Sequence, residues 1–431
     1  MSFLWNFQSL ALQAALETAV KNGEKNIFID GTNFSGDLNY GFSNANLPAG
    51  VTVTIRNAKV TATSKWNYLN GTLIFEDCEF TAGLYSIHFN DNDGVGDVVF
   101  KNCKLVGWLP FAAINSVTFE DCHLTGNGSY ALIRSYANLT LKNCVIDTTK
   151  ANHNDEYTDG VQVIAPATLT EENVTYIDNH TAYLQNVLKA GKNVVLSSDL
   201  NEVAVNTTAP YGNYYGFAQN GGIFDGKNYL LDFERGTQNS DGKYDNYGIM
   251  TSGGTIKNMS ITGVFRGIMI MYPSQDIYVD NVTLNDPDDY GVCYTINTGE
   301  GDGTHSLYVS NSTLNGWTSI GTAVKDVNFT NCAFGQGLYY NNVYGRLVKP
   351  YVDAVFENCD FCNKFYIDLS AFVGTKVVIK NCTVNGMKIT ANNWTRLVAP
   401  EDTCGDGQIS VELKDGSYLT AENVVDYIVF E

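Results

Sequence analysis

One short pattern recurs along this chain and leaves it few ways to fold. Around a central Asn or Asp, apolar residues stand four and two positions before. A Cys, small or apolar residue follows one after, and another apolar residue three after. Clear copies are Leu73, Phe75, Asp77, Cys78, Phe80 and Val98, Phe100, Asn102, Cys103, Leu105. Others centre on Asn57, Asp121, Asn143, Asn281, Asn311, Asn331, Asn358 and Asn381, with weaker copies at Asn173, Asn258 and Asn423. The first interval of two is the period of a strand with one buried face. The next interval is three and breaks that parity, which only a turn at the central residue repairs. Asn and Asp are the non-glycine residues that best tolerate left-handed backbone. The unit is therefore strand, tight Asn turn, strand, with both strands facing one interior.

From Asn57 to Asn173 and again from Asn258 to Asn381, successive copies lie 19 to 30 residues apart. That is too short for a strand–helix–strand crossover and return, and it suits one coil of a parallel β-solenoid with three short strands. The repeats, VTFEDCHL and VVIKNCTV among them, resemble those of right-handed parallel β-helix proteins of the pectate-lyase-like type. The likeness runs along nearly the whole chain. It implies an all-β fold, a right-handed parallel β-helix with short capping helices. It leaves function open, because polysaccharide-degrading enzymes, phage tailspikes, fibres and adhesins share this solenoid.

Seven cysteines, Cys78, Cys103, Cys122, Cys144, Cys332, Cys359 and Cys382, occupy the position after the turn. Stacked parallel Cβ vectors do not converge as a disulfide requires, and Ala58, Val174, Met259 and Val282 fill the same slot. The expectation is a row of small hydrophobes inside the core. Cys293, Cys362 and Cys404 have no spacing that specifies a metal site.

Two segments read as helices. Residues 8–21 place Leu12, Ala15, Leu16, Ala19 and Val20 on one face and stop at Asn22-Gly23; Thr181 can cap a second helix carrying Leu184, Val187 and Leu188, which stops at Gly191. Each is followed by a strand-like run, as a plug over an open solenoid end would be. The expected division is a module 1–178 and a second module 179–431; one continuous solenoid with a lateral second helix is the alternative. The start, MSFLWNFQSLALQAALETAV, lacks a basic n-region and a clean cleavage site, and reads as a helix rather than a signal peptide.

The chain carries 46 acidic against 26 basic residues, a net charge of -20, with six Arg. Nucleic acid is disfavoured as a partner, since phosphate contacts need clustered Lys and Arg. A polyanionic substrate would need a bridging cation such as Ca²⁺. No run approaches the 18 apolar residues of a membrane helix, so membrane insertion is not expected.

Several constellations could carry chemistry. The densest acidic stretch, NHNDEYTDGVQV, holds Asp155, Glu156 and Asp159, with His153 nearby. Its Thr-Asp-Gly resembles part of the motif of polygalacturonase-like hydrolases, which work on a glycosidic bond with several carboxylates. That family's further Gly-His-Gly and Arg-x-Lys motifs have no convincing counterpart here, its Asp-Asp is matched only by Asp288-Asp289, which is followed by Tyr-Gly-Val with no His close behind, and Asp-Gly is also an ordinary turn. Asp91, Asp93 and Asp97 in NDNDGVGD alternate as in a Ca²⁺ loop but lack the closing bidentate Glu. The resemblance implies that a lyase would pair Ca²⁺ with a basic residue, for which Arg346 with Lys349 is the one basic pair that offers itself, and surface solubilisation explains that pair as well. Tyr211, Tyr214, Tyr215 and Phe217 form one aromatic cluster, and Tyr339, Tyr340, Tyr344 and Tyr351 another. Amphipathic rings on loops suit stacking on sugar faces. Of thirteen N-x-Ser/Thr sequons, five reuse the turn Asn of the repeat, at Asn173, Asn258, Asn281, Asn311 and Asn381, and follow from the fold. The five histidines are scattered and show no metal-ligand spacing.

The expectation from these observations is a non-catalytic structural or adhesive protein of a phage virion or bacterial surface. It would contact glycans or a cell-surface receptor through aromatic loops and associate as a homo-oligomer, a trimer being one form. The alternative is a polysaccharide hydrolase or lyase using the 152–163 loop.

Overall fold

The computed structural model describes residues 12–33, 45–61, 63–81, 83–89, 95–111, 114–128, 130–153, 163–164, 166–205, 207–208, 214–234, 246–284, 294–335, 346–361, 366–367, 375–394, 417, 420 and 422–431. Two compact units divide the chain, Met1–Asn186 and Val187–Glu431; the division falls within the helix Thr181–Lys189. Both units are all-β and built mainly from parallel sheets. No helix among the described residues is long and apolar enough to cross a membrane.

In the first unit, seven strands pair in the order of the sequence: Asn26–Asp30, Thr52–Arg56, Thr72–Glu76, Asp97–Lys101, Ser116–Glu120, Asn138–Lys142 and Thr168–Glu172. A second parallel row starts two residues after each turn: Lys59–Val60, Glu79–Phe80, Lys104–Val106, His123–Thr125, Val145–Asp147 and Thr175–Asp178. Two three-stranded parallel sheets complete it, one from Ala45–Leu47, Ser64–Leu69 and Ile87–Phe89, the other from Leu109–Phe111, Ile133–Ser135 and Val163–Ile164. The register matches like with like. Phe75 faces Phe100, which faces Phe119, and the three buried rings stack at 5.2 and 4.8 Å. The helix Leu12–Lys21 buries Leu16 and Ala19 and stops at Gly23, whose φ of 79° is the left-handed stop a glycine allows.

The second unit repeats the scheme. Ile223–Phe233, Gly254–Thr262 and Ile277–Leu284 run through the turn as long strands. Later copies break into pairs, such as Asp326–Thr330 with Ala333–Gly335 and Asp353–Glu357 with Asp360–Phe361. A separate sheet carries Tyr214–Gln219, Tyr247–Thr251, Arg266–Ile270, Tyr294–Thr298, Trp317–Ile320, Arg346–Pro350 and Tyr366–Ile367 in parallel, with Thr207–Thr208 antiparallel at its start.

Twelve of the thirteen turn residues have φ between 49° and 55°, as the broken parity requires. Their side chains form ladders: Asn102 Nδ2 donates to Asp77 Oδ1 at 2.6 Å, Asn281 to Asn258 at 2.9 Å and Asn381 to Asn358 at 2.8 Å. The thirteenth is a correction. Asn423 has φ −102° and precedes the short helix Val424–Tyr427. Its Oδ1 accepts from Thr420 N–H while the Thr420 hydroxyl accepts from Asn423 N–H, a local exchange that favours a helix start over a strand corner. The polar Asp426 at plus three also offers nothing to bury. A missed copy lies at Lys227-Asn228, both left-handed at 52° and 67°. Phe224, Tyr229 and Leu231 fit the template around Asn228, but Gly226 stands where an apolar residue is expected. A Cβ there would lie 2.4 Å from Met259 Cβ, so the core at that point is filled from the next strand.

All seven cysteines after the turns are buried and free. Each Sγ donates to the carbonyl two residues back, at 3.2 Å for Cys78, Cys103, Cys122 and Cys144 and 3.4 Å for Cys332, Cys359 and Cys382. The thiols thus fill the core as small hydrophobes and satisfy their own weak donors.

Candidate functional site

Most of the residues singled out by sequence lie outside the described residues: Asp155, Glu156, Asp159, Asp91, Asp93, Tyr211, Tyr339, Tyr340 and Tyr344. Asp97 opens a strand, and its Oδ1 accepts from Asn115 Nδ2 at 2.7 Å and Ser116 Oγ at 2.5 Å. That carboxylate ties neighbouring strands together. Tyr214 is half-buried at a strand start. Tyr215 is 8% exposed and packs with Ala218, Tyr247, Met269 and Met271, so its ring belongs to a hydrophobic cluster rather than to an exposed loop.

Two of the five histidines, expected to be scattered, come together around one carboxylate. Asp178 ends the strand Thr175–Asp178, and the helix Thr181–Lys189 starts three residues later. The side chain of Asp178 is fully buried and is surrounded by donors. Its Oδ1 accepts from the backbone N–H of Asn179 at 2.6 Å and of His180 at 2.7 Å, and faces His180 Nδ1 at 2.8 Å. Its Oδ2 accepts from the Thr148 hydroxyl and faces His153 Nε2 at 2.6 Å. Thr181, expected as the cap, is already helical, and the Asp178 carboxylate instead holds the two backbone N–H groups that lead into the helix. Burial pushes the Asp178 carboxyl up, but the hydrogen bonds from His153, Thr148 and His180 outweigh it and hold it below the usual carboxylate value.

The two imidazoles stack face to face, with centroids 3.5 Å apart and planes 17° from parallel. His153 Nδ1 donates to the Ala151 carbonyl at 3.0 Å, so both nitrogens of this ring face acceptors. His180 is different. Its Nδ1 faces Asp178, which leaves Nε2 as the outer edge of a side chain that is 46% exposed. Tyr183 packs edge-on against His153 at 5.5 Å; burial, followed by the Asp178 charge, pushes its phenol well above the usual value.

Two imidazoles and a carboxylate are zinc-type ligands in kind. The arrangement does not suit a shared ion, because a metal must lie near the plane of each ring it binds and these planes stack 3.5 Å apart. Asp178 is also saturated with donors, so an ion would have to displace one. The cluster holds the strand end, the 148–153 turn and the helix start together, and it leaves one oriented imidazole edge for contact with solvent.

Aromatic rows are the other outward feature. In the first unit Trp108 stacks on Tyr130 at 4.3 Å, with the tilted ring of Tyr85 5.2 Å away, and its buried Nε1 has no hydrogen-bond partner among the described residues. In the second unit Tyr278 and Tyr308 are in register on adjacent strands and stack at 5.0 Å, 44% and 37% exposed. Tyr294 lies 4.6 Å from Trp317 on one side and 4.2 Å from the Arg266 guanidinium on another. None of these three groups falls in the clusters singled out from sequence. Position-by-position comparison of the repeats would have found the Tyr278 and Tyr308 pair, three residues before Asn281 and Asn311.

No family model, no curated protein and no solved structure matches the chain.

Proposed function

We propose that each unit is a right-handed parallel β-solenoid and that the chain is a non-catalytic structural or adhesive protein of a phage particle or bacterial surface, contacting glycans through outward aromatic residues. The solenoid reading is supported by strands that pair in parallel with the next copy of the repeat and by left-handed Asn corners stacked from copy to copy. The glycan reading rests above all on the Tyr278 and Tyr308 pair. Two half-exposed rings stand in register on a rigid sheet, and such amphipathic edges bind sugars without first ordering a loop. Buried reduced thiols suit assembly in a reducing cytoplasm, which is where virion proteins are made. The test is a binding panel of neutral and acidic oligosaccharides against the full chain and a Tyr278→Ala/Tyr308→Ala variant. Binding that weakens about tenfold or more in the variant supports the reading, since at least one ring contact is lost. A panel with no binder leaves only the scaffold.

A polysaccharide hydrolase or lyase is the second reading. One observation favours it: His153, at the root of the acidic 152–163 loop, is fixed by Asp178. Cleavage of any panel member, abolished in Asp159→Asn, would replace the first reading with this one.

A further inference from the structure

Gln219, Thr251, Ile270 and Thr298 stand in register across four parallel strands. Two residues beyond them lie Gly221, Gly253, Tyr272 and Glu300. The chain turns here, and Gly221 and Gly253 take φ of 105° and 146°, while Tyr272 takes 46°. Glycine is the ordinary solution at such a corner; a bulky aromatic there is strained, and strain of this kind collects at functional positions. The interior does not call for the ring. Tyr272 is 51% exposed, while Met271 before it and Pro273 after it are buried.

The ring is also held in place. Its hydroxyl donates to Glu300 Oε2 at 2.5 Å, and its backbone N–H donates to the Glu300 carbonyl at 2.7 Å. Beside it, the exposed side chain of Gln275 lies over the two glycines. A Cβ on Gly221 would meet Gln275 Nε2 at 2.4 Å, and one on Gly253 would meet Gln275 Cγ at 2.2 Å. The missing Cβ atoms therefore let Gln275 lie against the corner. The Gln275 amide over the two glycines, the Tyr272 ring and the Glu300 carboxylate follow one another across strands about 4.8 Å apart, each step comparable to a sugar unit.

We propose that this strip of Gln275, Tyr272 and Glu300 is a binding site for a neutral saccharide. The apolar face of a pyranose stacks on Tyr272, and its hydroxyls bond to the Glu300 carboxylate and the Gln275 amide. A carboxylate beside the ring, on a chain of net charge -20, disfavours acidic sugars. The proposal rests on the glycan-contacting reading above and names a site for it.

The experiment measures binding of neutral and acidic oligosaccharides, together with thermal melts, for the full chain and for Tyr272→Gly and Tyr272→Phe. Glycine suits the φ of this corner, so Tyr272→Gly is expected to melt at or above the parent while binding neutral sugars about tenfold more weakly, the loss of one ring contact. Tyr272→Phe, which keeps the ring but not its hydroxyl, is expected to fall between them. Unchanged binding in Tyr272→Gly overturns the site and leaves the glycan reading standing. Binding confined to acidic sugars, or a melt of Tyr272→Gly below the parent, also overturns it. A chain that binds no member of the panel overturns both.

Discussion

Asn281 offers a direct test of why Asn recurs at the corners. It is exposed, has φ 53°, and sits inside the continuous strand Ile277–Leu284. Its Nδ2 donates to Asn258 Oδ1 at 2.9 Å and to Asn228 Oδ1 at 3.2 Å. Asn281→Ala forces a residue with no local hydrogen bond into left-handed backbone, at about 1–2 kcal/mol. It also removes an exposed ladder contact, worth about 1 kcal/mol. The sum is about 2–3 kcal/mol, or roughly 4–12 °C in melting temperature for a unit of this size. Asn281→Gly loses the ladder contact and gains backbone entropy in the unfolded chain, but escapes the left-handed penalty. Glycine is therefore expected to be more stable than alanine by about 1 kcal/mol here, although in an ordinary strand alanine wins by about 0.5–1 kcal/mol. Asn423 supplies the control, because it matches the same sequence pattern with φ −102°; there alanine should be the more stable. Calorimetric melts of the four variants decide the matter. Alanine equal to or above glycine at position 281 would refute the account of the corner, and so would the same order at both positions.

Asp178→Asn removes the charge around which two imidazoles, a hydroxyl and two backbone N–H groups are arranged, and is expected to destabilise the first unit by about 3 kcal/mol at neutral pH in urea melts. The folded carboxyl is held below the unfolded value of 3.8, so its contribution is complete above that value and fades as pH falls through the folded one. The gap between parent and variant should thus narrow only below pH about 4; a gap that narrows between pH 5 and 7 contradicts this. For the thiols, peptide-mapped alkylation of the native protein should leave Cys78, Cys103, Cys122, Cys144, Cys332, Cys359 and Cys382 unmodified and denaturation should expose all seven. Rapid native labelling of any of them would place it outside the core.

The corners were legible because their constraint is local. Parity broken at one residue, together with the side chains that tolerate the repair, specifies φ without knowledge of the neighbours. Failures occurred where a neighbour decides. Asn228 was hidden because Met259, from the next strand, occupies the space that Gly226 leaves. Asn423 was over-read because Thr420 satisfies its backbone locally. The Asp178 cluster went unseen because His153 and Asp178 are 25 residues apart, and only the register joins them. Asp147 pairs with Ile177, so Thr148 falls beside Asp178. The interval of 30 between Asn143 and Asn173 carries that information at the fifth position after each turn, beyond the last apolar residue of the repeat.

Tyr272 was missed for a related reason, since its oddity appears only against its column. Taken alone, Met271-Tyr272-Pro273 reads as a buried aromatic run. Set beside Gly221 and Gly253, it is an aromatic placed where the backbone favours glycine. The Asn corners satisfy their left-handed backbone and build the ladder with the same side chain, so stability alone accounts for them. Tyr272 takes the same kind of backbone, yet it neither joins the ladder nor fills the core. Its ring stands half in solvent, tied to Glu300. Backbone conformation alone favours glycine there, as at Gly221 and Gly253. The saccharide contact proposed above would give this strained, half-exposed ring a role that neither the ladder nor the core supplies.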